Sequence, residues 1–170
     1  LNNKKIETKI IESNNQVFIF PQNRDWDLLF QSLGVDIKTT HFAAELISFL
    51  SKLANTSLKK SIFIHLRKNF FDVFIYQGSQ LLLFNSFPHQ DEEEFLYYLF
   101  FVLEQFYLKA NQFEAIFLGK FLKYQSYYDA FKQFHLITNF TYPENLEVDS
   151  NHPAPFFNYF YAYENNIRKV

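Results

Sequence analysis

A chain of 170 residues that is 48% hydrophobic and 21% aromatic, with 24 phenylalanines, buries a substantial core in one domain or a domain and a half and is not disordered as a whole. Its formal charge is −2 and its pI about 6.2, and the basic pairs Lys4-Lys5, Lys59-Lys60, Arg67-Lys68 and Arg168-Lys169 are scattered, which disfavours nucleic acid as a partner. Without cysteine there is no disulfide framework, thiolate zinc site or cysteine nucleophile, and a reducing, cytoplasmic setting fits.

"NQVFIFP" (15–21) predicts a short strand closed by Pro21. Residues 24–33 carry Trp26, Leu28, Leu29, Phe30 and Leu33 at helical spacing, ended by Gly34. "VDIKTT" (35–40) alternates as a strand, and 41–54 forms an amphipathic helix with Phe42, Leu46, Phe49, Leu50 and Leu53 on one stripe. Asn55-Thr56-Ser57 is the boundary candidate, giving segments 1–57 and 58–170. Three strands follow, 61–67, 70–77 and 80–87, turning at Lys68-Asn69, where Asn tolerates positive φ, and at Gly78-Ser79. They are apolar on both faces and need cover on both.

Asp91 to Glu94 open a helix running to about Leu108, since acids in a first turn complement the helix dipole. Its apolar core, 95–103, is nine residues, well short of the roughly twenty needed to span a membrane, and Leu1 opens a polar segment rather than a signal region. A strand at 114–119, a helix at 126–134 and a strand at 135–142 complete the order. A polar loop at 143–155 and an aromatic segment at 156–166, ambiguous between helix and strand, close the chain.

From Ser61 the order is β-β-β-α-β-α-β, which describes an α/β, ribonuclease-H-like sheet. The preceding β-α-β-α reads as the tail of a similar unit lacking its opening strands. The sequence has no methionine, so it reads as a fragment or a processed chain.

Asn85-Ser86-Phe87 at a strand end, Phe95 to Phe101 on an acid-capped helix, and Leu118-Gly119 at the next strand end resemble a bacterial family, domain-of-unknown-function family 3822. The resemblance covers most of the chain from Gln16 onward and is most specific between Ile62 and Gly119. It implies an actin-like ATPase fold, two ribonuclease-H-like lobes that clasp ATP in active relatives, and carries no settled activity. Members extend further at the N-terminus, so 1–57 would be the end of an incomplete first lobe and 58–170 the second lobe.

By that resemblance, the cleft positions are His65, Arg67, Lys68, Asn69, Gly119 and Lys120. Actin-like ATPases carry an acid and a glycine in this hairpin, for Mg²⁺ and for backbone approach to phosphate. Here His65 and Arg67 stand in those places. The adenosine motif ends in two glycines and a small residue, where this chain has Gly119-Lys120-Phe121. Both motifs are therefore degraded. Arg67 and Lys68 still suit a phosphate or carboxylate, and the plainer reading is a solvated hairpin tip. His65 fits a hydrogen-bonded structural histidine, and Gly119 a strand-to-helix turn.

His89 and Asp91 to Glu94 do not converge on one ion, and His41, His135 and His152 lack ligand spacing, so no metal and no catalytic residue is assigned. No Gly-x-Ser-x-Gly elbow is present, and the sequon Asn139-Phe140-Thr141 falls on an expected buried strand. The helix from Phe95 is apolar nearly all round, so its second face needs a partner: the other lobe, the 156–163 segment or another chain. The expectation is a non-catalytic scaffold or protein-interaction module. The alternative is a divergent ATP-binding protein, and a third reading places an anion or single-stranded nucleic acid on the aromatic hairpin.

Overall fold

The structure, a computed structural model, describes residues 8–13, 16–21, 24–34, 41–54, 57, 59–109, 112–135 and 138–141. The chain divides into two units, residues 1–48 and 49–170, at a point inside a helix. In the first, β1 (Thr8–Ser13) and β2 (Gln16–Pro21) pair antiparallel, from Thr8↔Pro21 to Ser13↔Gln16. β1 departs from the expected β-α-β-α order: "TKIIES" has no clean alternation, and its strand pairing shows only once β2 lies beside it. Helix α1 (Arg24–Ser32) ends where expected, with Gly34 at φ 67°. The strand expected at 35–40 lies outside the described residues.

Helix α2 (Phe42–Ala54) forms as its periodicity predicts, but its buried stripe is turned. Ala43, Ala44, Leu46, Ile47, Leu50 and Ala54 are buried, while Phe42, Phe49 and Leu53 lie half-buried beside them.

The second unit holds β3 (Lys60–Leu66), β4 (Phe70–Gln77), β5 (Gln80–Pro88), α3 (Glu92–Gln105), β6 (Phe113–Leu118), a 3₁₀ turn (Leu122–Tyr124), α4 (Gln125–Lys132) and β7 (Thr138–Thr141). This is the expected β-β-β-α-β-α-β order. The sheet runs β5-β4-β3-β6-β7, antiparallel among β3, β4 and β5, and parallel for β3/β6 and β6/β7. One face carries Ile62, Ile64, Leu66, Phe71, Val73 and Ile75, which share a core with α3 and α4. On the other face Phe63, His65, Asp72, Phe74 and Tyr76 are also buried, so cover on both faces is met.

Asp91 caps α3: its carboxylate accepts from Glu94 N–H at 2.8 Å, and Glu94 reaches back to Gln90 N–H at 3.0 Å. Phe95, Leu99, Val102 and Leu103 are buried, each contributing about 1.5–3 kcal/mol by leaving water. Tyr97 and Phe101 on the far side are exposed. The helix stops at Gln105, short of Leu108, because Tyr107 turns left-handed at φ 52°. Asn139 is exposed on β7, not buried as expected, since alternation there turns it away from the half-buried Phe140.

At the β3–β4 tip, neither Lys68 nor Asn69 takes positive φ, contrary to the turn expected. His89 explains it. Its backbone N–H donates to Asn69 C=O (3.1 Å) and its ring Nε2 to Arg67 C=O (3.0 Å), while Arg67 N–H donates to Phe70 C=O (2.8 Å).

Candidate functional site

Parallel β3 and β6 pair through Ile64↔Phe117, so two residues further on the hairpin tip and Gly119 stand at the same carboxyl-terminal sheet edge. Open α/β sheets place ligands at such edges. The fold thus brings the sequence-predicted residues to one end of two neighbouring strands.

The centre of this end is Asp72, which lies directly across from His65 on β3 and from Ser86 on β5. Directly paired residues project to one face, so the three side chains meet. Asp72 is fully buried. It accepts from His65 Nδ1 (3.0 Å), Arg67 Nε (2.8 Å), Arg67 Nη2 (2.7 Å) and the Ser86 hydroxyl. Because an ionised carboxylate can only accept, Nδ1 of His65 carries the proton. Burial pushes the Asp72 carboxyl up, but the His65 and Arg67 hydrogen bonds, the His65 charge and the Ser86 hydroxyl outweigh it. The net pKa is below the ordinary 3.8.

Arg67 is therefore drawn back across the sheet, with its side chain 27% exposed, rather than extended from the tip. Lys68 and Asn69 are exposed. His65 is wholly buried in the Asp72 cluster. Asp72 makes a poor general base or metal ligand, since each of its oxygens is already engaged twice. Among the described residues no three His, Asp or Glu side chains gather to hold a metal ion.

A second network braces the tip. His89 donates through Nε2 to Arg67 C=O, so in the neutral ring Nδ1 accepts from the Tyr127 hydroxyl at 3.1 Å. Burial, then the charges of Glu92, Asp91 and Glu94, raise the Tyr127 pKa. Tyr124, 2% exposed, has a hydroxyl without a hydrogen-bond partner. Burial and Tyr127 push it up to about 12, against a lowering pull from the Arg67 charge, so it lies within electrostatic reach of Arg67.

Gly119 has φ 82°, and its N–H donates to Thr141 C=O at 2.8 Å. A Cβ there would overlap the Phe121 ring, so Phe121 fills the space against this backbone. Tyr128 donates its hydroxyl to Gly119 C=O (3.3 Å) and accepts from Phe121 N–H (3.2 Å), which fixes the turn from β6. Lys120 is exposed, its ammonium 5.6 Å from the Phe140 ring centre.

Sequence reasoning missed Asp72, Ser86, Tyr124 and Tyr127. The available signal was Asp72 itself, a lone charge inside "FFDVFIY", since a buried charge demands partners.

The family model described as "Protein of unknown function (DUF3822)" matches residues 1–137. The chain belongs to this family. The match starts at residue 1, ahead of the Gln16 from which the sequence motifs carried the resemblance. No curated protein matches the DUF3822 chain. Among solved structures it is similar to a Bacteroides thetaiotaomicron VPI-5482 protein "with actin-like ATPase fold and unknown function", at TM-score 0.69 and 23% identity. That likeness covers 82% of this chain and 56% of the other, so the DUF3822 chain spans little more than half the length of its structural relative. The fold is the actin-like ATPase fold. Among the described residues no helix is long and apolar enough to cross a membrane.

Proposed function

We propose that this DUF3822 protein is a non-catalytic, actin-like-fold scaffold that works by binding another protein in a bacterial cytoplasm, with residues 49–170 containing a ribonuclease-H-like lobe. The reading is supported by one observation: at the shared carboxyl-terminal end of β3 and β6, the protein's own side chains take up the polar and steric room. Asp72 draws Arg67 into the sheet, and the Phe121 ring fills the space against Gly119. The exposed Tyr97 and Phe101 on α3 supply apolar surface suited to a protein partner. The absence of cysteine fits the cytoplasm.

Divergent ATP binding is the second reading. It is favoured by the unpartnered Tyr124 hydroxyl within electrostatic reach of Arg67, at an edge suited to ligands. Calorimetric titration with Mg-ATP decides between them. The scaffold reading expects no saturable heat at millimolar nucleotide, for the native chain and for Phe121→Ala alike. Micromolar binding to the native chain, weakened by Lys68→Glu, would replace it with the second reading.

A further inference from the structure

At the opposite end of β6 from Gly119, the C-terminal ends of α3 and α4 and the start of β6 line an open hollow of about 470 Å³. Phe100, Leu103, Leu108, Phe113, Phe131 and Phe134 make it mainly apolar. Ligand pockets commonly run to roughly 300–1,000 Å³ with apolar walls and a few placed polar groups. The polar group here is His135, which lines the hollow and is 5% exposed. Its ring stacks on Phe113 at 4.5 Å and 9°, and neither ring nitrogen has a hydrogen-bond partner.

We propose that this hollow binds a small apolar carboxylic acid, its hydrocarbon among the phenylalanine rings and its carboxylate on the imidazole of His135. A neutral imidazole always presents one N–H, and a buried N–H left unmatched is unfavourable until a ligand acceptor meets it. Burial, and then the charge of Lys59, lower the His135 pKa, so the apo ring is neutral at physiological pH. The surrounding charges favour an anion: Lys59 acts electrostatically on His135 and Lys109 lines the hollow, against the single carboxylate of Glu104. Tyr107 stands in the same wall. It is 89% exposed and holds the left-handed φ of 52° that normally selects glycine, so an aromatic side chain is kept there at a backbone cost. A ring at the mouth of an apolar pocket gives that cost a use. The site is independent of whether the opposite end of β6 meets nucleotide.

The test is an NMR titration of the isotope-labelled full chain with octanoate, with octanol as the neutral comparison. Octanoate is expected to shift the amides of residues 103–109 and 131–135 saturably, and to move the His135 ring resonances. His135→Phe keeps the stack on Phe113 and removes the polar edge. It should weaken octanoate about tenfold or more and octanol by less, because a charged acceptor makes the stronger hydrogen bond to the imidazole N–H. Leu108→Trp should fill the hollow and abolish both. Shifts that never saturate at millimolar octanoate would overturn the proposal. So would octanol binding the native chain as tightly as octanoate, a comparison that needs no variant to fold, or octanoate affinity unchanged in either variant.

Discussion

Asp72 shows how one charged residue can be retained inside an apolar sheet. Taking a carboxylate out of water is compensated only when its lone pairs are filled, and His65, Arg67 and Ser86 fill them. Asp72→Asn removes the charge and leaves Arg67 and His65 facing a neutral amide. Breaking a buried pair on one side should lower stability at neutral pH by about 3 kcal/mol, read as the urea midpoint. The pH dependence follows from the net lowered Asp72 pKa, in which hydrogen bonds and charge outweigh burial. A carboxyl whose folded pKa lies below its unfolded one stabilises the fold above the unfolded value and loses that contribution as pH falls through the folded value. Native stability should therefore fall below about pH 4, and the curve of the Asp72→Asn variant should be flatter there. Parallel acid limbs for the two proteins would contradict the assignment. Half of this cluster was legible in the sequence: with Lys68-Asn69 as the tip, counting back places His65 opposite Asp72. The other half was not. Counting from the Gly78-Ser79 turn puts Asn85 opposite Asp72, but the register shifts by one between Ile75 and Tyr76, and Ser86 arrives instead.

The start of α3 was readable because its chemistry is local: Asp91, Glu94 and the backbone N–H groups between them form a cap within one turn. Its end was not, because the usual glycine is missing. Tyr107 N–H donates to Glu104 C=O (2.9 Å) and Leu108 N–H to Leu103 C=O (2.9 Å), the paired bonds of a Schellman motif built around a tyrosine. A left-handed L-residue is disfavoured by about 1–2 kcal/mol, and this one is 89% exposed, so little burial is lost by removing it. Tyr107→Gly should raise stability by about 1 kcal/mol, net of glycine's unfolded-state entropy, in urea or thermal unfolding. A lower midpoint would show that the phenol ring makes a stabilising contact outweighing its strained backbone. The buried stripe of α2 was only partly legible: spacing gives a helix its period, and Leu46 and Leu50 are buried as read, but Ala43, Ala44, Ile47 and Ala54 share their face while Phe42, Phe49 and Leu53 stay half-buried.

Across the molecule, element order in the second unit was legible because each strand and helix there carries its own period and punctuation, and strand order then follows from few connections. β1 was not legible, since its strand state depends on β2 more than on its own residues. The sheet also predicts where stability concentrates. Residues 62–66 of β3 and 71–76 of β4 are buried on both faces, whereas β5 and β7, at the two ends of the strand order, are mostly half-exposed. Amides with no local route to solvent exchange only by global unfolding, while end strands open at lower free energy. In native-state hydrogen exchange, the β3 and β4 amides should report the unfolding free energy measured by urea, and those of β7 should report less. Equal protection in all five strands, or faster exchange in β3 than in β7, would contradict this. The His65–Asp72–Arg67 cluster joins these two most protected strands, so its geometry should persist until the unit unfolds as a whole. A strand end held that firmly cannot release Arg67 to an incoming phosphate without breaking its pairing with Asp72, and that energetic cost is the physical support for the proposed scaffold reading.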